Sequence, residues 1–165
     1  MPEEELAAID RAASAFRERW ASVKNAPWPA AFDFTLNDVH AIDYMEYEGL
    51  KFPDCGTDGA VLIVAEVVRR AAQIQWYMSY RGEWILADKN NFGNFAVAPL
   101  VRFHEYECGR GTQFDNYLNL MAELAIECVW AEHGEGLVSL FPQGSEYFDR
   151  VQKKLDRIRR PGGSK

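Results

Sequence analysis

The chain has 165 residues, of which 48% are hydrophobic, 13% aromatic and 26% charged, with a formal net charge of −7. This composition builds a packed core and excludes a disordered polymer. No apolar run approaches the ~18 residues that a membrane-spanning helix needs, because the longest, Ala60 to Ala65, is stopped by Glu66. The first helix is predicted over residues 2 to 24. Pro2 suits a first turn, Glu3 to Glu5 complement the N-terminal dipole, and Leu6, Ile9, Ala13, Phe16, Trp20 and Val23 fall on one stripe. The stripe is compatible with an oligomer seam, and more simply with packing on the rest of the same chain. Pro27 and Pro29 stop this helix.

A second helix is predicted over Leu36 to Glu48, capped by Thr35 or Asn37 and ended by Gly49 and Pro53. A third is predicted over Thr57 to Gln73. Its residues from Ala60 to Val68 are apolar apart from Glu66, which shares a single polar stripe with Arg69 or Arg70 and Gln73. A helix that apolar belongs at the centre of the core; the β-branched run at 60–65 makes a buried strand the competing reading. Ile74 to Tyr80 and Glu83 to Ala87 flank Arg81-Gly82 and read as a hairpin. Trp76, Met78 and Tyr80 share one face of its first strand, and Trp84 and Leu86 one face of its second. Asp88 to Asn94 reads as a turn cluster, and Phe95 to Tyr106 as a third strand, interrupted or confined to an edge by Pro99. A fourth helix over Gln113 to Trp130, capped by Thr112 with Asp115, presents an apolar face running from Phe114 and Tyr117 to Val129. The last helix, Ser145 to Arg159, turns Phe148, Val151, Leu155 and Ile158 inward.

The expected order is therefore ααα-βββ-αα. It describes an α+β fold in which helices cover an antiparallel sheet of three or slightly more strands. Residues 1–160 read as one domain and residues 161–165, Pro-Gly-Gly-Ser-Lys, as a disordered end. The acidic N-terminus has no apolar stretch behind it, which reads as the absence of a secretory signal. The three cysteines, Cys55, Cys108 and Cys128, are odd in number and far apart. They read as reduced thiols of a cytoplasmic protein.

The sequence carries no G-x-x-x-x-G-K-[ST], G-x-G-x-x-G or G-x-S-x-G motif. Gly109-Arg110-Gly111 is the nearest approach to an anion loop, and a plain turn explains it. His40, His104 and His133 lie in separate elements with none of the paired spacings of a metal site. Cys108 with His104 is an i, i+4 pair, but at a strand end the two side chains need not converge; Cys128 with His133 or His104 is a candidate nucleophile pair that nothing in the sequence brings together. Carboxylates such as Asp43, Glu46 and Glu123 are too numerous to signal acid–base chemistry. Glu66, a charge on the most apolar helix, is expected to pair with Arg70 four residues on. No catalytic residue, metal or cofactor is assigned.

Charge is uneven. Residues 150–165 hold seven basic residues and one acid, for +6, so residues 1–149 carry −13. That acidic body disfavours nucleic acid and favours a basic protein partner. The basic end reads as a solvated helix face suited to the C-terminal dipole. The hairpin rings Trp76, Tyr77, Tyr80 and Trp84 are explained by packing as well as by stacking on a ligand.

Gly59-Ala60, Ala65-Glu66-Val67-Val68-Arg69-Arg70, Trp76, Trp84, Asn94 to Pro99 and Gly111 to Tyr117 follow one another through the middle of the chain. Over residues 57–120, about 40% of the chain, this pattern resembles small bacterial α+β domains similar to immunity or accessory proteins of toxin systems. The family's usual second glycine of the helix is Ala65 here. The resemblance implies an α+β fold without an established activity, and it assigns no catalytic residue.

Two functions follow as expectations. The leading one is a non-enzymatic, immunity-like module that binds a basic toxin or effector through Asp38, Asp43, Glu46, Glu48 and Asp54, as a monomer or homodimer. The alternative is a small-molecule binder or enzyme with a pocket between the sheet and the third and fourth helices, lined by Glu66, Arg70, Trp76, Trp84 and Tyr117.

Overall fold

The computed structural model describes residues 3–89, 96–107 and 116–159. Helix α1 spans Glu3–Ala21, α2 Leu36–Tyr47 and α3 Gly56–Ala72. A hairpin of β1 (Gln75–Met78) and β2 (Trp84–Ala87) follows, then α4 (Pro99–Glu107), α5 (Tyr117–Cys128), a 3₁₀ helix at Gly134–Leu140, and α6 (Glu146–Arg159). The mixture of helices with an antiparallel sheet is roughly α+β. The expected three-stranded sheet and the order ααα-βββ-αα are not supported, because the sheet has two strands among the described residues.

The correction lies at Pro99. Of the described residues in the segment Phe95 to Tyr106, read as a third strand, Val97 alone bridges to the hairpin, exchanging both backbone hydrogen bonds with Leu86 (2.7 and 3.0 Å). Pro99 then opens α4 instead of marking a sheet edge. Its fixed φ suits the first turn of a helix, where an N–H has no intrahelical acceptor. Leu100 and Phe103, three apart, turn toward the core. The 3₁₀ helix was also not anticipated.

α3 is helical, which settles the choice at residues 60–65, and its residues from Gly59 to Val68 are all buried. It packs against α1, α2, α4, α5 and the 3₁₀ helix. The 3₁₀ helix approaches closely: a Cβ on Gly136 would lie 2.3 Å from the carbonyl oxygen of Ala71. The α1 stripe is consumed by this packing. Ile9, Ala13, Phe16 and Trp20 are buried with Ala12, while Leu6 is exposed. α5 is buried over Tyr117, Leu120, Met121, Leu124, Ala125 and Cys128, and α6 contributes Val151 and Leu155. The N-cap of α5 is Asn116, whose side chain accepts from the Asn119 amide at 2.7 Å; the expected cap at Thr112 with Asp115, like Phe114, lies outside the described residues. So do Gly109 to Gly111, Cys108, residues 90–94 of the turn cluster, Phe95 of the expected third strand and the 161–165 tail.

The hairpin register pairs Gln75 with Ala87, Trp76 with Leu86, Tyr77 with Ile85 and Met78 with Trp84. Its expected apolar face is buried only at one end. Trp76 and Leu86 are in the core, whereas Met78 and Tyr80 are exposed. The basic end is partly paired within the fold: Arg150 contacts Glu123 and donates to Asn119 Oδ1 at 3.0 Å, and Arg159 donates to Glu135 at 2.8 Å. No described helix is long and apolar enough to cross a membrane.

Candidate partner-binding groove on the acidic helix

The acidic stretch divides into carboxylates that hold the backbone and carboxylates that face outward. Asp38, at the third position of α2, has no solvent exposure. Its two oxygens accept from the amides of Phe32 (2.8 Å) and Thr35 (2.9 Å), the latter being half of a capping box. It clasps a strained turn in which Phe32 (φ 51°) and Phe34 (φ 67°) both occupy the left-handed region that bulky residues avoid. Arg17 donates to the carbonyls of Ala31 (2.6 Å) and Phe32 (3.1 Å) on the same turn. The Arg70 guanidinium lies 4.3 Å from the centre of the Phe34 ring. Placed so deep, Asp38 has no surface to offer a partner.

Asp43 is half-buried and acts across the fold. Its carboxylate accepts from the amides of Tyr117 (2.6 Å) and Leu118 (3.1 Å), the first two residues of α5. These amides have no intrahelical acceptor, and an anion there also complements the helix dipole. Burial nonetheless pushes the carboxyl up to about 6. The two amide bonds pull the other way, and the neighbouring Glu46 adds to the rise.

The remaining three expected residues, Glu46, Glu48 and Asp54, are exposed. Between the first two stands Tyr47, 88% exposed. Beside them is an open groove of about 520 Å³ lined by Trp28, Asn37, His40, Asp43, Tyr44 and Tyr47. Trp28 reaches it from the loop between α1 and α2. That loop is anchored by Trp20, whose indole N–H donates to the Trp28 carbonyl at 3.0 Å. Trp20, Trp28 and Tyr44 pack ring to ring, with centroids 5.4 to 5.7 Å apart. Burial lowers the His40 pKa below its usual 6.5, so at neutral pH its ring carries little positive charge. Trp28, Tyr44 and Tyr47 were not singled out as site residues in the sequence. The signal that could have found the tyrosines is their i, i+3 spacing beside Asp43 on one helix.

The five residues of the alternative pocket split into two groups. Glu66 is 5% exposed and accepts four hydrogen bonds, from Arg69 Nε (2.8 Å) and Nη2 (2.7 Å), Arg70 Nε (3.1 Å) and Trp76 Nε1 (2.8 Å). The Arg70 pairing was expected; the two-pronged bond from Arg69 is shorter. Burial tends to raise the Glu66 pKa, but the donors outweigh it and the net shift is downward. Trp84 packs edge-on against Trp76 at 5.9 Å. Tyr117 has a different set of neighbours, the rings of Phe52 and Phe103.

His104 faces Asp58 at 3.4 Å, and His133 precedes the 3₁₀ helix as its cap. Among the described residues no three His, Cys, Asp or Glu side chains gather as a metal site would require. Cys128 is fully buried, which pushes its thiol up to about 12. Comparison of the chain with protein-family models, with curated proteins and with solved structures finds no match.

Proposed function

We propose that the protein is a non-enzymatic binding module, immunity-like or accessory in role, that engages a basic protein partner through the C-terminal end of α2 and the loop beyond it. The observation that carries this reading is the exposure of Tyr47 between two exposed carboxylates, Glu46 and Glu48, with Asp54 a few residues on. Tyrosine offers a large, amphipathic contact surface at low entropic cost, and it is enriched at protein interfaces. A cluster of exposed carboxylates on a body of charge −13 attracts and orients a basic partner. Asp38 does not belong to this surface, and Asp43 reaches it only at the groove.

The test uses the full chain as bait. The parent, the triple variant Glu46→Lys, Glu48→Lys, Asp54→Lys, and a control with Glu3→Lys and Glu4→Lys are compared by affinity capture and mass spectrometry. A basic protein held by the parent and the control but lost from the triple variant supports the proposal. Equal retention by all three baits, or capture of no basic protein, overturns it.

A further inference from the structure

The groove beside Tyr47 has a chemistry of its own. Among the described lining residues Trp28, Tyr44 and Tyr47 are aromatic, Asp43 is a carboxylate, and none is lysine or arginine. Its single basic ring, His40, is held toward the neutral form. Trp28 and Tyr44 are braced against Trp20, so two of the walls are fixed before any ligand arrives. Tyr47 stands on the solvent side of the groove, 88% exposed. Each oxygen of Asp43 already accepts one amide of α5, but a carboxylate oxygen has room for a second donor. No basic side chain among the described residues pairs with Asp43. An anionic acceptor sharing a groove with electron-rich rings suits a cation and repels an anion. A planar guanidinium meets both demands, since it stacks on tyrosine and tryptophan and donates to a carboxylate through a rigid fork.

We infer that this groove is a receptor for an arginine side chain presented by a basic peptide segment of the partner, with Tyr44, Tyr47 and Trp28 as its aromatic walls and Asp43 as its anionic floor. The inference rests on the proposed binding of a basic partner and names the group that the partner inserts. It assigns Tyr47 a direct contact with the guanidinium. It also separates a short-range recognition site, the groove, from the longer-range attraction of Glu46, Glu48 and Asp54.

The experiment needs no partner. The full chain is titrated with Nα-acetyl-arginine amide and with its uncharged counterpart Nα-acetyl-citrulline amide, and the Trp28 indole N–H and Tyr47 ring signals are followed by nuclear magnetic resonance. The arginine derivative is expected to shift both signals saturably and the citrulline derivative to bind more weakly. Tyr47→Ala, at an exposed position that leaves the core untouched, is expected to weaken arginine binding roughly two- to five-fold, as for loss of one exposed cation–ring contact. Tyr80→Ala, at an equally exposed tyrosine on the hairpin turn, is expected to leave it unchanged. Equal binding of both derivatives, no shift at the groove, or indifference to Tyr47→Ala overturns the inference. Groove binding of arginine without any captured basic protein would support this inference and sink the proposed function. Capture that depends on the acidic rim, with no arginine binding in the groove, would do the reverse.

Discussion

Replacing Glu66 tests whether the hairpin is held to the central helix by one buried carboxylate. The Glu66 side chain is 7% exposed, whereas Arg69 and Arg70 are 24% and 50% exposed. Glu66→Ala strands the buried indole N–H of Trp76, at a cost of about 1–3 kcal/mol. It also removes the two-pronged bond from Arg69, which additionally donates to the Ile74 carbonyl at the start of the hairpin. Breaking a buried ion pair costs about 3–5 kcal/mol when the survivor stays buried; both arginines here can turn to water, so a total of about 3 kcal/mol is expected. Glu66→Gln keeps an acceptor for Trp76 but loses the charge and turns one acceptor oxygen into an N–H donor facing arginine, for about 1.5 kcal/mol. Urea unfolding followed by circular dichroism measures both, and a cycle with Trp76→Phe should return a coupling of about 1 kcal/mol. The folded pKa of Glu66 lies below its ordinary 4.5. The stability it confers is therefore present above 4.5 and lost as pH falls through the folded value, so the gap between Glu66→Gln and the parent should close on acidification. Glu66→Ala within about 0.5 kcal/mol of the parent, the range of ordinary surface changes, would refute the assignment.

Asp43 has the opposite sign. Its folded pKa of about 6 lies above its ordinary 3.8, so its favourable contribution is complete below 3.8 and disappears as pH rises through 6. Asp43→Asn should gain on the parent by about 2 kcal/mol between pH 4 and pH 7, after discounting for its partial exposure; a difference that is flat across that range in urea titrations would count against it. Gly136→Ala drives a methyl group into the Ala71 carbonyl and should lower the urea midpoint by about 1–3 kcal/mol of stability, whereas no loss would mean that the 3₁₀ helix yields freely. Cys128 should resist iodoacetamide until the chain unfolds, because its thiol is buried and its pKa is pushed up to about 12. Peptide mapping of the native protein reads this directly, and rapid native alkylation at Cys128 would contradict its placement.

The helices that were legible in the sequence are those whose apolar residues repeat at helical spacing over several turns. α1, α3, α5 and α6 announce themselves in this way, and the burial of Gly59 to Val68 follows from composition alone. The groove was not legible. Trp28 meets Tyr44 only because the loop after α1 folds back under a bond from Trp20. Asp43 finds its partner 74 positions away. Asp38 stands three residues after the Thr35 cap, a spacing that marks an N-terminal capping carboxylate, but from the sequence alone Asp43 is indistinguishable from Glu46 and Glu48, since acidity carries no information about which carboxylate meets a distant orphan amide.

Local chemistry thus dictated where chain segments turn and which faces seek shelter, because propensity, capping and periodicity act within a few residues. Pro99 marks the limit of that reach. A proline is equally acceptable at a sheet edge and at the start of a helix, and the choice came from the fit of Leu100 and Phe103 into a core assembled by distant segments. The division of the acidic residues into buried caps and an outward-facing rim was decided in the same way. Hydrogen-bonding partners far apart in sequence become neighbours only when the helices pack.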